Sequence, residues 1–516
     1  MKPTLTFITV LFLSTISLSL SPAWSQNEPG APKSAIKLEI STDFLNLHLK
    51  GTAPEGTTAV EYRVAESGAI GDDSVWLPVS LSASQPTAFS IAIPLWSSRW
   101  SALQVRALKG EQETARQKTC PDKDEFKLLT SERIAALSEP ERKAWSAYIE
   151  KSQVRAAEQF DMMAAECRML ARAKPALAPG NRAGLKLDSD TPEAWFASDE
   201  ARKLAEAIVS YQTPAGGWSK AVDYKAGPRQ PGTHWSSQKG DLWHYCGTFD
   251  NRTTTEQIKL LAGVHSATKR DDAKTAALRG LEYVFEAQYP NGGWPQNYPL
   301  ESGYHEGITL NDDAMVHILG VLLAVAEKRE PFAFADDSLC ERAKAAFERG
   351  IECLVKMQVN IDGVPTVWCA QHHPLTLEPV KARAMEPPSL SGGESAAVVK
   401  FLMRRAPITD TTKAMIETAV AWFGSHKLTG LRKTKNAEGK TDFVEDPASQ
   451  ELYWARFYDL QTGKAIFPGS QDGINYPTFR EMAAKNKVAY DFVTDQPAEL
   501  ITKEMERWKE RLKKGK

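Results

Sequence analysis

The segment Gln212-Thr-Pro-Ala-Gly-Gly-Trp218 returns 76 residues later as Gln288-Tyr-Pro-Asn-Gly-Gly-Trp294. Each copy ends a run with helical character, and a second helical run with a polar start follows it. A degenerate third copy begins at Gln358 and reaches Trp368. A recurring helical hairpin of this length is typical of α/α architectures, because one hairpin cannot bury its apolar face alone. We therefore predict that the repeats close into an (α/α) toroid or barrel, with the polar helix starts on one rim.

The rest of the chain predicts a multidomain protein. Residues 1–25 combine Lys2, an apolar run and small residues at positions 23 and 25, which is the pattern of a secretory signal peptide. Residues 26–127 alternate apolar and polar side chains between turns, which predicts an all-β sandwich. Residues 128–190 are predicted to form a helical connector, and residues 191–516 the module that contains the repeats.

The composition limits the class of protein. The chain has 516 residues, with 63 Lys+Arg against 65 Asp+Glu, and 42% of its residues are hydrophobic. These values are typical of a globular protein and exclude a collagen-like or disordered chain. The charge balance argues against nucleic acid as a partner, and no segment after residue 25 is long and apolar enough to span a membrane. We expect an exported monomer, in the periplasm or outside the cell.

Acidic residues begin the second helices of successive repeats: Asp250, Asp312 and Glu394 lie at places that the repeat makes equivalent. Each could simply cap its helix, and the spacing around the last two resembles a capping box. With the neighbouring amides of Asn251 and Asn311, and without His or Cys at ligand spacing, the carboxylates would instead suit Ca²⁺.

Basic residues near aromatic or glycine-rich loops form a second group of candidates: Lys220, Lys381, Arg383 and Arg456. Lys381 and Arg383 lie between prolines and hence on a loop, where they could equally be a solvated basic pair. Trp218 could stack on a sugar ring at the rim, or it could belong to the core.

From about residue 193 onward the chain resembles polysaccharide lyase family 10, the pectate lyases. The resemblance rests on motifs in the family order at residues 211–220, 248–251, 287–296, 308–314, 368–372, 375–384, 388–391 and 454–460. It implies an (α/α) toroidal catalytic module that cleaves polygalacturonate by calcium-dependent β-elimination, which gives 4,5-unsaturated oligogalacturonates. By the same resemblance Arg383 is the catalytic base and Asp250 and Asp312 serve Ca²⁺. The residues expected to contact the anionic substrate are Lys220, Trp218, Asn311, Lys381 and Arg456.

Arginine is an unusual base, because its pKa lies above about 12. A nearby Ca²⁺ and the Lys381 ammonium would favour the neutral form of Arg383, so we expect an alkaline activity optimum. Two alternatives stay open at this point. One is a non-catalytic pectin-binding protein, and the other is a glycoside hydrolase on the same scaffold that uses Asp250 and Asp312 as acid and base.

Overall fold

The computed structural model describes residues 36–42, 46–65, 76–79, 81, 87–94, 102–119, 128–188, 191–238, 243–383, 385–436, 439, 441–470, 473–488 and 491–514. The predicted signal peptide lies outside the described residues. The described chain is β-rich at its N-terminal end and mostly helical after residue 128, which confirms the predicted order of the two classes. In this described part, none of the helices combines the length and apolarity that crossing a membrane requires.

The described N-terminal region folds into strands β1 (Lys37–Thr42), β2 (Asn46–Thr52), β3 (Ala59–Ala65), β4 (Leu77–Val79), β5 (Ala88–Pro94), β6 (Ala102–Lys109) and β7 (Gln112–Thr119). They pair as two antiparallel sheets with the orders β1-β2-β5 and β4-β3-β6-β7. In the β3–β6 pair Val60 lies opposite Ala107. These residues and Val105 share one small apolar cluster with Phe89 of the other sheet, so the two sheets bury a common core.

The region between the sheets and the repeats forms two helices, α1 (Ser131–Ala135) and α2 (Glu139–Met169). Pro140 stands in the first turn of α2, where a missing N–H leaves no hydrogen bond unmade. Trp145 and Tyr148 of α2 each pack against Tyr289, with ring centroids 5.0 Å apart. The Tyr148 hydroxyl also donates a hydrogen bond to the carbonyl of Ala287 at 3.0 Å. This region is therefore packed on the core of the repeats as well as connecting them to the sheets.

The remaining helices are α3 (Asp199–Ser210), α4 (Thr255–Thr268), α5 (Asp271–Ala287), α6 (Ala314–Ala326), α7 (Asp337–Met357), α8 (Gly392–Arg404), α9 (Asp410–Ser425), α10 (Phe479–Lys485), α11 (Gln496–Glu499) and α12 (Met505–Lys513). Helices α4, α6 and α8 contact one another in that order, and α3 contacts α5 as α7 contacts α9. α6 is apolar on most of its surface, whereas α5 and α7 bury one face. The structure thus has an inner and an outer row of helices.

Short strands lie in the loops that join these helices. They are β8 (Ile308–Thr309), β9 (Asn360–Ile361), β10 (Val364–Pro365), β11 (Gln371–His372), β12 (Leu390–Ser391), β13 (Leu431–Lys435), β14 (Thr441–Glu445), β15 (Trp454–Ala455), β16 (Phe457–Tyr458), β17 (Ala465–Pro468), β18 (Asn475–Tyr476) and β19 (Val493–Thr494). The β8–β11 pair joins the loop before α6 to the loop before α8. These pairings tie neighbouring loops together at one end of the helices.

The glutamine of each repeat links its own loop to the next repeat. Gln212 Nε2 donates to the carbonyl of Gly216 in its own loop and to the carbonyl of Ala276 in α5, at 2.8 and 2.9 Å. Gln288 makes the corresponding pair of bonds within its loop and to α7, at 3.0 and 2.9 Å. In the degenerate copy, Gln358 bonds its loop and reaches α9. Because buried carbonyls need a partner, these amides stabilise the contact between successive repeats.

The Gly-Gly-Trp part of the motif allows close packing. Gly216 has a φ of 101°, and a Cβ there would lie 2.6 Å from the carbonyl oxygen of Arg279. The indole of Trp218 is fully buried, and its N–H donates to the carbonyl of Ile208 at 2.8 Å. The indole also occupies space beside Gly280 of α5, where a Cβ would come within 2.9 Å of the ring. The repeated sequence therefore encodes the interlocking of one repeat with the next.

The polar helix starts lie beside these loops. The backbone N–H groups of Thr248, Thr309 and Ser391 each donate to the carbonyl of the tryptophan in their own repeat, at 3.0, 3.1 and 2.7 Å. The loop after each outer helix is therefore held against the start of the inner helix that follows. The predicted rim of polar helix starts is present, while closure of the repeats into a ring stays a prediction.

Candidate active site

A cleft of about 260 Å³ lies among the rim loops. The residues that line it come from loops, short turns and strand β11. They are Lys220, Tyr245, Asp250, Asn251, Gln296, Tyr304, Asn311, Asp312, Gln371, Arg383 and Glu386. Five of the eight predicted site residues are thus brought together in one place.

The two acidic loops share an unusual backbone conformation. Asn251 and Asp312 both have left-handed backbone angles, with φ/ψ of 51°/40° and 53°/29°, and the residue after each also has a positive φ. Asn and Asp tolerate this region better than most residues do. The structural equivalent of Asp312 is therefore Asn251, and Asp250 corresponds to Asn311. The predicted equivalence of Asp250 and Asp312 is wrong by one position, because the two loops carry the acid and the amide in opposite order.

Helix α8 is capped by Ser391 and not by an acidic side chain. The Ser391 hydroxyl accepts a hydrogen bond from the backbone N–H of Glu394 at 3.2 Å, but the Ser391 N–H donates to the carbonyl of Trp368, so the capping box that the spacing resembles is not formed. In the described loops before α4 and α6, no side-chain cap is formed. The carboxylates of Asp250 and Asp312 instead point toward each other and the cleft.

The two aspartates titrate differently. Asp250 is 3% exposed, and its Oδ2 accepts a hydrogen bond from Lys220 Nζ at 2.5 Å. Burial opposes its ionisation, but the charge and hydrogen bond of Lys220 outweigh burial and hold the pKa of Asp250 below its ordinary value. Partial desolvation in the cleft, together with the charge of Asp250 within hydrogen-bonding distance, raises the pKa of Asp312 to about 7.

This pair fits a divalent cation of the Ca²⁺ type. Two carboxylates close enough to share a proton repel each other when both ionise, and a divalent cation removes that repulsion. The donors in reach are oxygens, which Ca²⁺ prefers. Asn311 donates to Asp312 at 3.0 Å, and its own oxygen accepts from Arg456 at 2.9 Å, so this amide orients a carboxylate. Asp250 and Asp312 could therefore hold the ion.

Arg383 also lines the cleft and is paired with Glu386. Its Nε and Nη2 donate to the Glu386 carboxylate at 2.9 and 3.0 Å, and its backbone N–H donates to the same group at 3.0 Å. Burial disfavours the charged guanidinium, but the hydrogen bonds and charge of Glu386 outweigh burial and raise the pKa of Arg383. Glu386 thus favours the charged form of Arg383, and the expected opposite effect of Ca²⁺ and Lys381 stays a prediction.

The other basic residues occupy different positions. Lys220 lines the cleft, where its Nζ lies 3.4 Å from the ring centroid of Tyr245. Among the described residues, Arg456 and Lys381 fall outside the cleft lining. Arg456 lies behind Asn311 and forms an ion pair with Glu394 at 2.5 Å. Lys381 is exposed on the loop that also carries Arg383.

The prediction that Trp218 binds substrate is wrong. Its side chain has no exposed surface. The ring packs between the helices of successive repeats, where a sugar cannot reach it. Trp294 is buried in the same way in the next repeat, so both tryptophans are core residues.

Sequence reasoning missed five residues of the cleft: Tyr245, Gln296, Tyr304, Gln371 and Glu386. Glu386 stands three residues after Arg383, and this short spacing could have indicated that the two residues form an ion pair. Gln296 lies two residues after the second Gly-Gly-Trp motif. The two tyrosines come from irregular loops, and their hydroxyls meet at 3.4 Å only in the folded chain.

Comparisons with known proteins place the helical part of the chain among the polysaccharide lyases. The sequence model of the pectic acid lyase family matches residues 212–501, which is more than half of the chain. The chain therefore belongs to the pectic acid lyase family, and the predicted family is confirmed. The matched region excludes the β-rich N-terminal part. A search of curated protein sequences gave no match.

Two solved structures support this assignment. The family 10 polysaccharide lyase from Cellvibrio cellulosa shares 31% identity, with a TM-score of 0.53 over 63% of this chain and 99% of that chain. A mutant of the family 10 lyase from the same organism, solved in complex with trigalacturonic acid, gives 31% identity and a TM-score of 0.52 over 61% and 97%. The chain thus contains nearly the whole length of these lyases.

Proposed function

We propose that the protein cleaves polygalacturonate by calcium-dependent β-elimination, with Arg383 as base and Asp250 and Asp312 serving the ion. The observation that supports this most directly is the cleft, in which Lys220, both aspartates and Arg383 lie together. The complex of a similar lyase with trigalacturonic acid supports the choice of substrate.

The chemistry requires a base and a sink for negative charge. Elimination breaks the C5–H and C4–O bonds of a uronate, forms the C4=C5 double bond and leaves the electron pair on O4. When bound, Ca²⁺ would neutralise the uronate carboxylate and so lower the cost of the enolate-like transition state. Asp250 and Asp312 would hold the ion, and Lys220 would orient Asp250 through its short hydrogen bond.

Arg383 accepts the C5 proton only in its neutral form. The Glu386 carboxylate keeps the guanidinium charged, so the side chain must exchange this partner before it can act. A uronate carboxylate in the place of Glu386 would also favour the charged form, so the positive charges of Ca²⁺ and Lys381 would have to favour the neutral one. An alkaline optimum follows from an arginine base and stays part of the proposal.

The hydrolase alternative requires a different separation of the acids. Glycoside hydrolases place their two carboxyl groups about 5 Å or more apart to accommodate the sugar and water. Asp250 and Asp312 lie within hydrogen-bonding distance of each other, which is too close for those roles. A non-catalytic binder would keep the cleft without turnover, and the assay below separates it from a lyase.

The decisive assay follows ultraviolet absorbance of the 4,5-unsaturated product on polygalacturonate, with and without Ca²⁺. We expect activity in the wild type that chelation removes and Ca²⁺ restores, and no activity in Arg383→Ala. Arg405→Ala is the matched control, because Arg405 is an exposed arginine at the far end of α8. Product formation by a folded Arg383→Ala variant would exclude this residue as base, and saturated products would indicate hydrolysis.

The remaining parts of the proposal concern the whole chain. We propose that the repeats close into an (α/α) toroid and that residues 1–25 direct export to the periplasm or beyond. The domain limits at residues 26–127, 128–190 and 191–516 and a monomeric state complete the proposal. Small-angle scattering and N-terminal sequencing of the exported protein test these points.

A further inference from the structure

A second polar cluster lies against the cleft wall that Tyr245 and Tyr304 form. It consists of His244, Glu301 and His305, and one ligand-capable atom from each lies within 4.8 Å of the others. His244 Nδ1 is 2.5 Å and His305 Nδ1 is 3.7 Å from Glu301 Oε1. The rings of Tyr304 and His305 are in contact, with centroids 3.9 Å apart and planes tilted by 33°. The cluster therefore adjoins the cleft but does not line it.

Backbone hydrogen bonds hold the loops of this cluster in place. Phe249 N–H donates to the carbonyl of Gln296 at 2.9 Å, and Gln296 N–H donates to the carbonyl of His305 at 2.9 Å. The second carboxylate oxygen of Glu301 accepts from Asn297 Nδ2 at 2.5 Å. Such outer hydrogen bonds orient a ligating carboxylate in metal sites.

One group in the cluster is buried without a partner. His305 is 4% exposed, and its Nε2 has no hydrogen-bond partner among the described residues. The other ring nitrogen of His305, Nδ1, faces Glu301 at 3.7 Å and is the atom that would bind an ion. His244 and Glu301 have side chains that are 30% and 26% exposed, which leaves an entry path for an ion.

We propose that His244, Glu301 and His305 bind one transition-metal ion, of which Zn²⁺ is the best match. Two imidazoles and one carboxylate with an open fourth position form a ligand set that Zn²⁺ takes and Ca²⁺ does not favour. Tetrahedral bonds of about 2.0–2.1 Å space the ligand atoms about 3.3 Å apart. The separations of 2.5 and 3.7 Å lie on either side of that value. The ion would fix the two loops that carry the tyrosine wall.

Isothermal titration of tag-free, chelator-treated protein with Zn²⁺ tests the proposal. We expect one saturable site that a large excess of Ca²⁺ does not displace. His244→Ala and Glu301→Gln should each bind at least tenfold more weakly. His426→Ala is the matched control, because this partly exposed histidine stacks on Trp422 in another part of the chain and should bind like wild type.

Co²⁺ substitution supplies a second measurement that needs no variant. Wild-type protein should give the intense visible absorption of a four- or five-coordinate ion, and Zn²⁺ should abolish it. Absence of saturable Zn²⁺ binding, or equal binding by Glu301→Gln, would overturn the proposal. Asp250→Asn should keep full Zn²⁺ affinity, so this site and the lyase activity can fail independently. Chelation removes both ions, and separate addition of Ca²⁺ and Zn²⁺ distinguishes their effects.

Discussion

Calcium affinity should depend on the protonation of Asp312. Burial and the neighbouring Asp250 charge raise the pKa of this carboxyl group to about 7. A cation held by both aspartates must displace that proton, so affinity is full above pH 7 and falls as pH drops below it. From the ionised fractions at a pKa of about 7, the Kd for Ca²⁺ should rise about tenfold between pH 8 and pH 6.

The Asp250→Asn variant isolates the cause. It removes the neighbouring charge, so the pKa of Asp312 should return toward its ordinary value. Binding at pH 8 should then be weaker through loss of a ligand, while the change between pH 8 and pH 6 should shrink clearly below tenfold, since burial alone still raises the pKa of Asp312. Titration calorimetry at both pH values measures these constants. Asp313→Asn is the control, because burial and the charge of Glu394, and not Asp250, raise the pKa of Asp313 to about 6. A wild-type Kd that stays within twofold, or an unchanged tenfold dependence in Asp250→Asn, would refute the reasoning.

Three further substitutions test the site and the fold. Glu386→Gln removes the charge that raises the pKa of Arg383, so the neutral base should form at lower pH. The alkaline rise in activity should therefore move to lower pH. A pH–activity profile that does not move would contradict the role of this ion pair. Gln288→Leu leaves two backbone carbonyls without their amide donor and should lower the urea-derived free energy of unfolding by about 2–4 kcal/mol. Trp218→Ala should lower the free energy of unfolding by about 3–5 kcal/mol with little change in KM. A large rise in KM in the folded variant would indicate that the ring contacts substrate.

The repeat was readable in the sequence because each of its residues has a local physical role. The glutamine, the paired glycines and the tryptophan make contacts that recur with the same spacing, so their pattern survives as a motif. Ring closure was not readable in the same way, since it depends on contacts between elements far apart in the chain. The misreading of Trp218 came from the same motif, because a tryptophan beside glycines can mark a packing site as well as a sugar platform.

The site was predictable where chemistry follows chain position. Asp250, Asp312 and Arg383 each stand at a loop or helix start, where a side chain can face a ligand. Tyr245 and Tyr304 carry no such signal, because 59 residues separate them and only the folded loops bring their hydroxyls together. The one-position offset between the acidic loops is a property of backbone angles and is not visible in residue spacing alone.

The glutamine bonds between repeats also give the chain a direction of assembly. The side-chain amide of each glutamine donates one hydrogen bond to a carbonyl of a helix that lies later in the sequence. The acceptor helix is α5 for Gln212, α7 for Gln288 and α9 for Gln358. During synthesis on the ribosome, a loop can therefore be completed only after the following outer helix has emerged. The cleft, which draws on three successive loops, forms late, and a chain released before α9 would carry every catalytic candidate without the framework that positions them.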